Sequence, residues 1–280
     1  MTDYSNPLHI IVSRPHGQGG NLVALLNQLS DKAEQLTVSA CPLIAISGYF
    51  DINWQNSEQD SLPASEATHE PVDFSKFDGV IFVSRNAAEN AKTRLSTENW
   101  QQLIKCPLYA VGKHTAETLE TCIENVNNSA QIKYPQQMNS EGLLQMSELN
   151  NIEGQQWLLV KGLGGREKLK TGLQNSGARV AELDVYERKL PDLEAQKRIA
   201  SYNQMTPDQA PPIWLISSLQ ALRNLWRILN KTPHNCRVIV SSDRIATEAN
   251  KLEFKVIDQS KGATDQQLVA CVKQYIQQLS

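Results

Sequence analysis

The most informative absences in this sequence are those of long apolar runs and of clustered basic residues. No apolar run approaches the roughly 20 residues that a membrane-spanning helix needs, and residues 1–7 hold no basic region ahead of an apolar stretch, as an export signal would. Lys and Arg are scattered along the chain, and the formal net charge is −3. Because nucleic acids and membrane surfaces attract grouped cations, neither is an expected partner. The sequence predicts a soluble, cytoplasmic protein.

Motifs for metal binding and for an activated nucleophile are also missing. The five cysteines are widely separated, odd in number and without a C-x-x-C pair, and the five histidines form no H-E-x-x-H motif. No G-x-S-x-G segment marks an activated serine. These patterns argue against a metal site and favour reduced, mostly buried thiols. The cysteines are Cys41, Cys106, Cys122, Cys236 and Cys271.

One glycine-rich segment, Gly162–Arg166, has a superficial likeness to a phosphate-binding loop. It lacks the G-K-[ST] ending of a P-loop and the G-x-G-x-x-G spacing of a dinucleotide-binding fold. A tight turn in which a glycine adopts positive φ is the favoured interpretation.

The chain does contain one pattern that recurs: an apolar strand runs into a small hydroxyl or glycine turn that opens a helix. Strands that alternate with helices predict doubly wound parallel sheets, and 280 residues suit two such α/β domains. Ligands of open parallel sheets bind outside the carboxyl ends of the strands, where backbone N–H groups and helix N-termini favour anions. We therefore predict a binding rim for a polyanion. The repeats are Ile10–Arg14, Val80–Arg85, Tyr109–Thr115, Trp214–Ser218 and Val238–Arg244.

Several local features are also predicted. A second strand is expected over Cys41–Ile46, an edge strand over Phe254–Ile257, and helix-capping residues at Thr115 and Ser140. Residues 51–73 carry six acidic residues, two prolines and no Lys or Arg, a composition that predicts a solvated insertion.

The serines at the predicted strand ends are interpreted as hydrogen-bond donors for a ligand. For any single one of them, helix capping is the commoner role, and only their grouping at strand ends favours binding. They are Ser84, Ser217, Ser218, Ser241 and Ser242.

Seven motifs occur in the order found in one family. They are Ser13–Pro15, Ile81–Ala87, Ala110–Ala116, Ser140–Leu144, Lys161–Leu169, Val185–Arg188 and Ser241–Ala246. On these motifs, which extend over nearly the whole chain, the sequence resembles the uroporphyrinogen-III synthase family. Lys161 stands where that family often has Arg, Val83 stands where it often has Thr, and the acidic segment is an unusually long insertion.

The resemblance implies two α/β domains joined by a two-stranded linker: residues 1–41 with 187–280, and residues 42–186 with the acidic insertion near 51–73. A cleft between mobile domains would hold the substrate. The family's substrate is hydroxymethylbilane, a linear tetrapyrrole with eight carboxylates, which is dehydrated and closed with inversion of the last pyrrole ring to uroporphyrinogen III. The resemblance implies a lyase without a cofactor. A monomer with a transient contact to the preceding enzyme of the pathway is expected.

The resemblance also suggests roles for single residues. Tyr186 would assist departure of the hydroxide, with packing at the hinge as its alternative, whereas a surface or interdomain ion pair is the favoured alternative for Arg14. Two rival functions stay open: a glycosyltransferase-like enzyme that binds a nucleotide sugar through Gly162–Arg166, and a non-catalytic small-molecule sensor. The expected substrate-binding residues are Arg14, Ser84, Thr115, Ser217, Ser218, Ser241 and Ser242.

Overall fold

The computed structural model describes residues 8–30, 36–54, 73–126, 131–165, 167–205, 211–233 and 236–279. The chain forms two compact units, the first made of residues 1–46 and 189–280 and the second of residues 47–188. Each unit contains one sheet, so the predicted α/β class is confirmed. No helix within the described residues is long and apolar enough to cross a membrane.

The helices and strands alternate along most of the chain. In chain order they are β1 (Leu8–Val12), α1 (Gly20–Ser30), β2 (Leu36–Ala40), β3 (Ala45–Trp54), β4 (Gly79–Phe82), α2 (Arg85–Arg94), α3 (Thr97–Leu103), β5 (Leu108–Ala110), α4 (Lys113–Ile123), β6 (Ile132–Lys133), α5 (Ser140–Leu144), β7 (Gln156–Gly162), α6 (Lys168–Asn175), β8 (Arg179–Lys189), α7 (Leu193–Asn203), β9 (Ile213–Ile216), α8 (Leu219–Ile228), β10 (Arg237–Val240), α9 (Asp243–Lys251), β11 (Lys255–Gln259) and α10 (Asp265–Leu279), with short 3₁₀ helices at Phe74–Lys76 and Ser147–Leu149.

The sheet of the first unit has the strand order β11-β10-β9-β1-β2, and its pairings are parallel. Successive residues of β1 pack in different apolar clusters. Ile10 lies in one cluster and Ile11 in another, and both are fully buried. Strands covered on both faces read as continuous apolar runs, which explains the pattern in the sequence. β11 lies at the edge, as predicted.

The sheet of the second unit has the strand order β3-β8-β7-β4-β5-β6. The pairings of β4 with β5 and β7, of β5 with β6, and of β7 with β8 are parallel. The chain passes between the two units inside β3 and inside β8.

Each sheet has a point at which successive connections leave in opposite directions. In the first unit this point lies between β1 and β9, because β2 follows on one side of β1 and β9 pairs on the other. In the second unit it lies between β4 and β7, because β5 and β6 extend the sheet on the opposite side of β4. Ligands of doubly wound sheets bind at such points, outside the carboxyl ends of the strands.

The strand predicted over Cys41–Ile46 is wrong for its first four residues. The structure has β2 ending at Ala40 and β3 beginning at Ala45. The N–H groups of Cys41 and Leu43 donate to backbone carbonyls at the end of β1, at 3.0 and 3.2 Å, so the segment turns over that strand end. The turn buries the apolar residues of this segment, so the segment has the same run of apolar residues as a buried strand.

The two predicted helix caps are also wrong, by three positions at Thr115 and by one at Ser140. Gly112 is the N-cap of α4, and Thr115 is the third helical residue and is buried. At α5 the N-cap is Asn139, whose side chain accepts from the N–H of Gly142 at 2.8 Å, and Ser140 follows it. Asn and Ser are both good caps, so composition alone could not separate the neighbours.

Both ends of the acidic insertion predicted over residues 51–73 belong to regular structure. Residues 51–54 belong to β3, residues 55–72 lie outside the described residues, and Asp73 caps the 3₁₀ helix Phe74–Lys76.

The five cysteines are free thiols, as predicted. Cys41, Cys236 and Cys271 are buried, and the other two are partly buried. Burial raises the pKa of Cys236 and of Cys271 to about 12, so these thiols are inert near neutral pH.

Candidate functional site

The predicted site residues lie at or near the carboxyl ends of parallel strands. In the second unit Ser84 follows β4, Thr115 follows β5 in the first turn of α4, and Tyr186 lies near the end of β8. In the first unit the predicted residues follow three adjacent strands, β1, β9 and β10; they are Arg14, Ser217, Ser218, Ser241 and Ser242.

The structure brings Tyr186 and Ser84 together. The Tyr186 side chain is buried, with 3% of the residue exposed, and its hydroxyl lies 3.2 Å from the Ser84 Oγ. β7 lies between β8 and β4, so the tyrosine ring must cross β7 to reach the serine. It crosses at Gly162, where a Cβ atom would lie 2.4 Å from the ring. The glycine is therefore needed for this close approach.

A β-bulge sets the direction of Tyr186. The ladder between β7 and β8 is regular up to the pair Lys161 and Asp184, and the next pair is Gly162 and Tyr186, so Val185 is an extra residue in β8. Bulges re-aim side chains next to functional sites. On the C-terminal side of the bulge the Tyr186 carbonyl accepts from the Leu163 N–H at 2.8 Å. This hydrogen bond fixes the backbone of Tyr186.

The hydroxyl of Tyr186 has a second partner. The Arg188 Nη2 donates to it at 3.2 Å, and the guanidinium carbon lies 5.6 Å from the centroid of the tyrosine ring. Because the phenol oxygen accepts this hydrogen bond, its own proton can still be donated. A guanidinium beside the oxygen would also stabilise negative charge that develops as the proton leaves. The sequence motif contained Arg188, but its proximity to the phenol was not predicted.

Ser84, Ser218 and Ser242 cap helices. Their oxygens accept from the N–H groups of the third helical residues of α2, α8 and α9, at 3.2, 3.1 and 3.4 Å respectively. A capping hydroxyl acts as an acceptor and keeps its proton, so it can also donate to a ligand. Capping and ligand binding are therefore compatible for these three residues. Of the preceding serines, Ser241 is buried and Ser217 is partly exposed.

Arg14 is held by the start of α10. Its guanidinium forms an ion pair with Asp265 and donates to the Ala263 carbonyl at 2.7 Å. Asn21 also donates to Asp265. α1 begins only at Gly20, so Arg14 lies in a loop and does not open a helix as its motif predicted. This geometry matches the ion-pair alternative, here within one unit, and a role in substrate binding stays a prediction.

Four charged side chains form a cluster beside Tyr186 that the sequence analysis missed. The Lys161 Nζ lies 3.0 Å from the Asp184 Oδ1 and 3.2 Å from the Glu182 Oε1, and the Lys170 Nζ lies 2.8 Å from the Glu182 Oε2. Lys161, Lys170 and Asp184 are buried. The sequence does contain a signal for this cluster. Glu182 and Asp184 occupy alternate positions in β8, and Lys161 follows the apolar run of β7.

The pKa values of this cluster reflect burial and the mutual charges. The pKa of Asp184 is raised above its ordinary value, first by burial and also by the nearby charge of Glu182, although Lys161 lowers it. Burial by itself would lower the pKa of Lys161, but its close contacts with the carboxylates of Asp184 and Glu182 raise it above the ordinary value. Lys161 is therefore a firmly charged cation inside the unit.

The glycine-rich turn after β7 is a tight turn, as favoured from the sequence. Gly164 has a φ of +69°, which glycine adopts without strain. The tyrosine ring covers Gly162, so a diphosphate has no access to the α-carbon at that position. Arg166 lies outside the described residues. In the described part of the chain, no three His, Cys, Asp or Glu side chains lie close enough to hold a metal ion.

Comparison with known proteins gives a consistent result. A family model described as uroporphyrinogen-III synthase HemD matches residues 24–270. The uroporphyrinogen-III synthase of Escherichia coli is 26% identical over 274 residues, which cover 95% of this chain and 100% of that protein.

Two solved structures share the fold. One is the uroporphyrinogen-III synthetase of Helicobacter pylori, with a TM-score of 0.55, 15% identity and coverage of 96% of this chain and 99% of that one. The other is a mutant uroporphyrinogen III synthase of Thermus thermophilus, with a TM-score of 0.52, 14% identity and coverage of 97% and 98%. Because the family model matches most of the sequence, this chain belongs to the uroporphyrinogen-III synthase family.

Proposed function

We propose that this protein converts hydroxymethylbilane to uroporphyrinogen III, and that Tyr186 is its catalytic residue. Besides family membership, one observation supports the proposal most: the hydroxyl of a buried tyrosine lies between Ser84 and Arg188, at the point between β4 and β7 where a doubly wound sheet binds ligands.

The first chemical step is loss of hydroxide from the hydroxymethyl group. Tyr186 donates its proton to the departing oxygen as the carbon–oxygen bond breaks, so that water leaves and a cationic azafulvene remains. Arg188 stabilises the phenolate that Tyr186 becomes. The last pyrrole ring then attacks the azafulvene through its substituted carbon, and rearrangement of the resulting spiro intermediate inverts that ring. The phenolate recovers the proton that the free α-carbon of the last pyrrole ring loses when the macrocycle closes.

The carboxylates of the substrate are bound by neutral donors at the strand ends. Hydroxyl protons and the N-termini of α2, α4, α8 and α9 attract anions without burying a cation. Arg14 is a less favoured contributor, because Asp265 already compensates its charge. The proposed donors are Ser84, Thr115, Ser217, Ser218, Ser241 and Ser242. We also propose that the enzyme needs no cofactor and acts as a cytoplasmic monomer.

The decisive experiment is incubation with freshly prepared hydroxymethylbilane, followed by oxidation and chromatographic separation of the uroporphyrin isomers. We expect isomer III from the active protein and isomer I, the spontaneous product, from heat-denatured protein. Isomer I alone from the folded protein would refute the proposed function. Uridine nucleotides should leave the melting temperature unchanged, and a clear increase would favour the glycosyltransferase-like alternative.

A further inference from the structure

The hydroxyl groups of Tyr186 and Ser84 differ in their accessibility. Tyr186 is buried, with 3% of the residue exposed, whereas Ser84 is partly exposed at the carboxyl end of β4. Their oxygens lie 3.2 Å apart, so geometry alone allows either hydroxyl to donate to the other. The direction of this hydrogen bond decides which of the two protons can reach a ligand.

The neighbouring groups determine this direction. The Tyr186 oxygen accepts from Arg188, and the phenol proton needs an acceptor of its own, because buried hydroxyl groups are rarely left without a hydrogen bond. The Ser84 oxygen accepts from the Ala87 N–H at 3.2 Å and has a second lone pair that can accept from the phenol. With Tyr186 as the donor, both lone pairs of Ser84 are used and the serine proton remains for a ligand.

We propose that Ser84 protonates the departing oxygen of hydroxymethylbilane, and that Tyr186 replaces the serine proton in the same step. As the carbon–oxygen bond breaks, its electron pair goes to the oxygen, which takes the proton of Ser84 and leaves as water. Ser84 takes the proton of Tyr186 and stays neutral, and the phenolate lies beside Arg188. This inference rests on the proposed function and specifies its first step: the tyrosine proton reaches the departing oxygen through the serine.

Ser84→Asn separates proton transfer from helix capping. Asparagine is as good an N-cap as serine and can accept from the phenol, but its amide does not pass on a proton. It also fills the space in which a water molecule would replace the serine hydroxyl. We expect kcat to fall about tenfold, because the spontaneous reaction keeps the loss below the usual range for acid catalysis, with KM changed about twofold or less. Ser84→Thr, which keeps the hydroxyl, should recover most of the wild-type kcat.

Ser96→Ala is the matched control. Ser96 caps α3 in the same unit, and its oxygen accepts from the Asn99 N–H at 3.2 Å, the same distance as at the cap of α2. This variant should lower the melting temperature and leave kcat at the wild-type value. A wild-type kcat in folded Ser84→Asn would overturn the inference, because a hydrogen bond to the phenol would then be sufficient.

Single-turnover rates in mixtures of ordinary and heavy water show how many protons move in the step. Two protons that move together give a curved dependence of the rate on the deuterium fraction, whereas one proton gives a straight line. We expect a curve for the wild-type protein. A straight line would indicate direct transfer from Tyr186 and would overturn the inference.

Neutron diffraction from wild-type crystals tests the hydrogen-bond direction without substrate. We expect the deuterium of Tyr186 to lie between its oxygen and the Ser84 Oγ, and the deuterium of Ser84 to point away from the tyrosine. If the wild-type protein fails to convert hydroxymethylbilane, the proposed function is refuted, and this measurement still decides the direction. A Ser84 deuterium directed at Tyr186 would overturn the inference.

Discussion

The two units have the same kind of parallel sheet, but different groups lie at their switch points, the points at which successive connections leave in opposite directions. Between β1 and β9 of the first unit, the Ser13 hydroxyl donates to the Leu215 carbonyl at 2.5 Å, and Ser13 is buried. Between β4 and β7 of the second unit, an aromatic hydroxyl lies beside a serine and a guanidinium. At this point the first unit therefore has a hydrogen bond within the protein, whereas the second unit has the hydroxyl of Tyr186, which can donate a proton.

The two units share a fold but differ in the chemical groups at these points, and a fold alone does not specify function. Both units present helix-capping serines at strand ends, a device that can hold carboxylates. Only in the second unit does the described structure place an aromatic hydroxyl at the switch point. We infer that chemistry belongs to the second unit and that the first unit contributes binding.

Replacement of Tyr186 by Phe should have the largest effect on turnover. The ring still packs over Gly162, so folding and KM should change little, and kcat should fall because proton donation is lost. General-acid assistance typically contributes about 10²–10⁴-fold, and the spontaneous reaction of this substrate places the expected loss at or below the lower end. Initial rates and isomer ratios should show slow turnover that still gives isomer III. A wild-type rate would leave Tyr186 as a packing residue.

Replacement of Gly162 by Ala should have the next largest effect. The added Cβ would lie 2.4 Å from the ring of Tyr186 and must displace it. We expect kcat to fall about tenfold to 10²-fold, as for other small misplacements, together with a lower melting temperature. Gly20→Ala in the first unit is the control, because a Cβ there meets nothing within 4 Å. Equal kcat for the two variants would show that the crossing at Gly162 is unimportant.

The serine substitutions should have the smallest effects and should differ between the units. A neutral hydrogen bond is worth roughly 0.5–1.5 kcal/mol, so Ser84→Ala and Ser218→Ala should each lower activity about tenfold or less. Ser218→Ala, in the first unit, should act mainly on KM. Ser84→Ala should also lower kcat, because Ser84 contacts Tyr186. Complete loss in a folded Ser→Ala variant would indicate an essential nucleophile or base and contradict the role of these serines as hydrogen-bond donors to the substrate.

Much of the fold could be predicted from periodicity. The apolar residues before Ser84 form the buried strand β4, and Leu222 and Leu225, which are three residues apart, are buried on one face of α8. The errors have physical causes. Residues 41–44 are apolar because they turn over the end of β1, and Thr115 is buried inside a helix that glycine opens. Local sequence patterns indicate which residues are buried and which can cap a helix. They do not indicate which other segment of the chain covers the buried residues.

The sequence by itself determined where most strands give way to helices, although not the exact cap of each helix, because hydrophobic period, capping chemistry and glycine are local properties. It therefore placed Ser84, Ser218 and Ser242 at strand ends. Only the tertiary structure decided that Tyr186 crosses Gly162 and that Lys161 is buried beside Asp184. These contacts depend on strand order and on one extra residue in β8, and both arise from pairing between segments far apart in the chain.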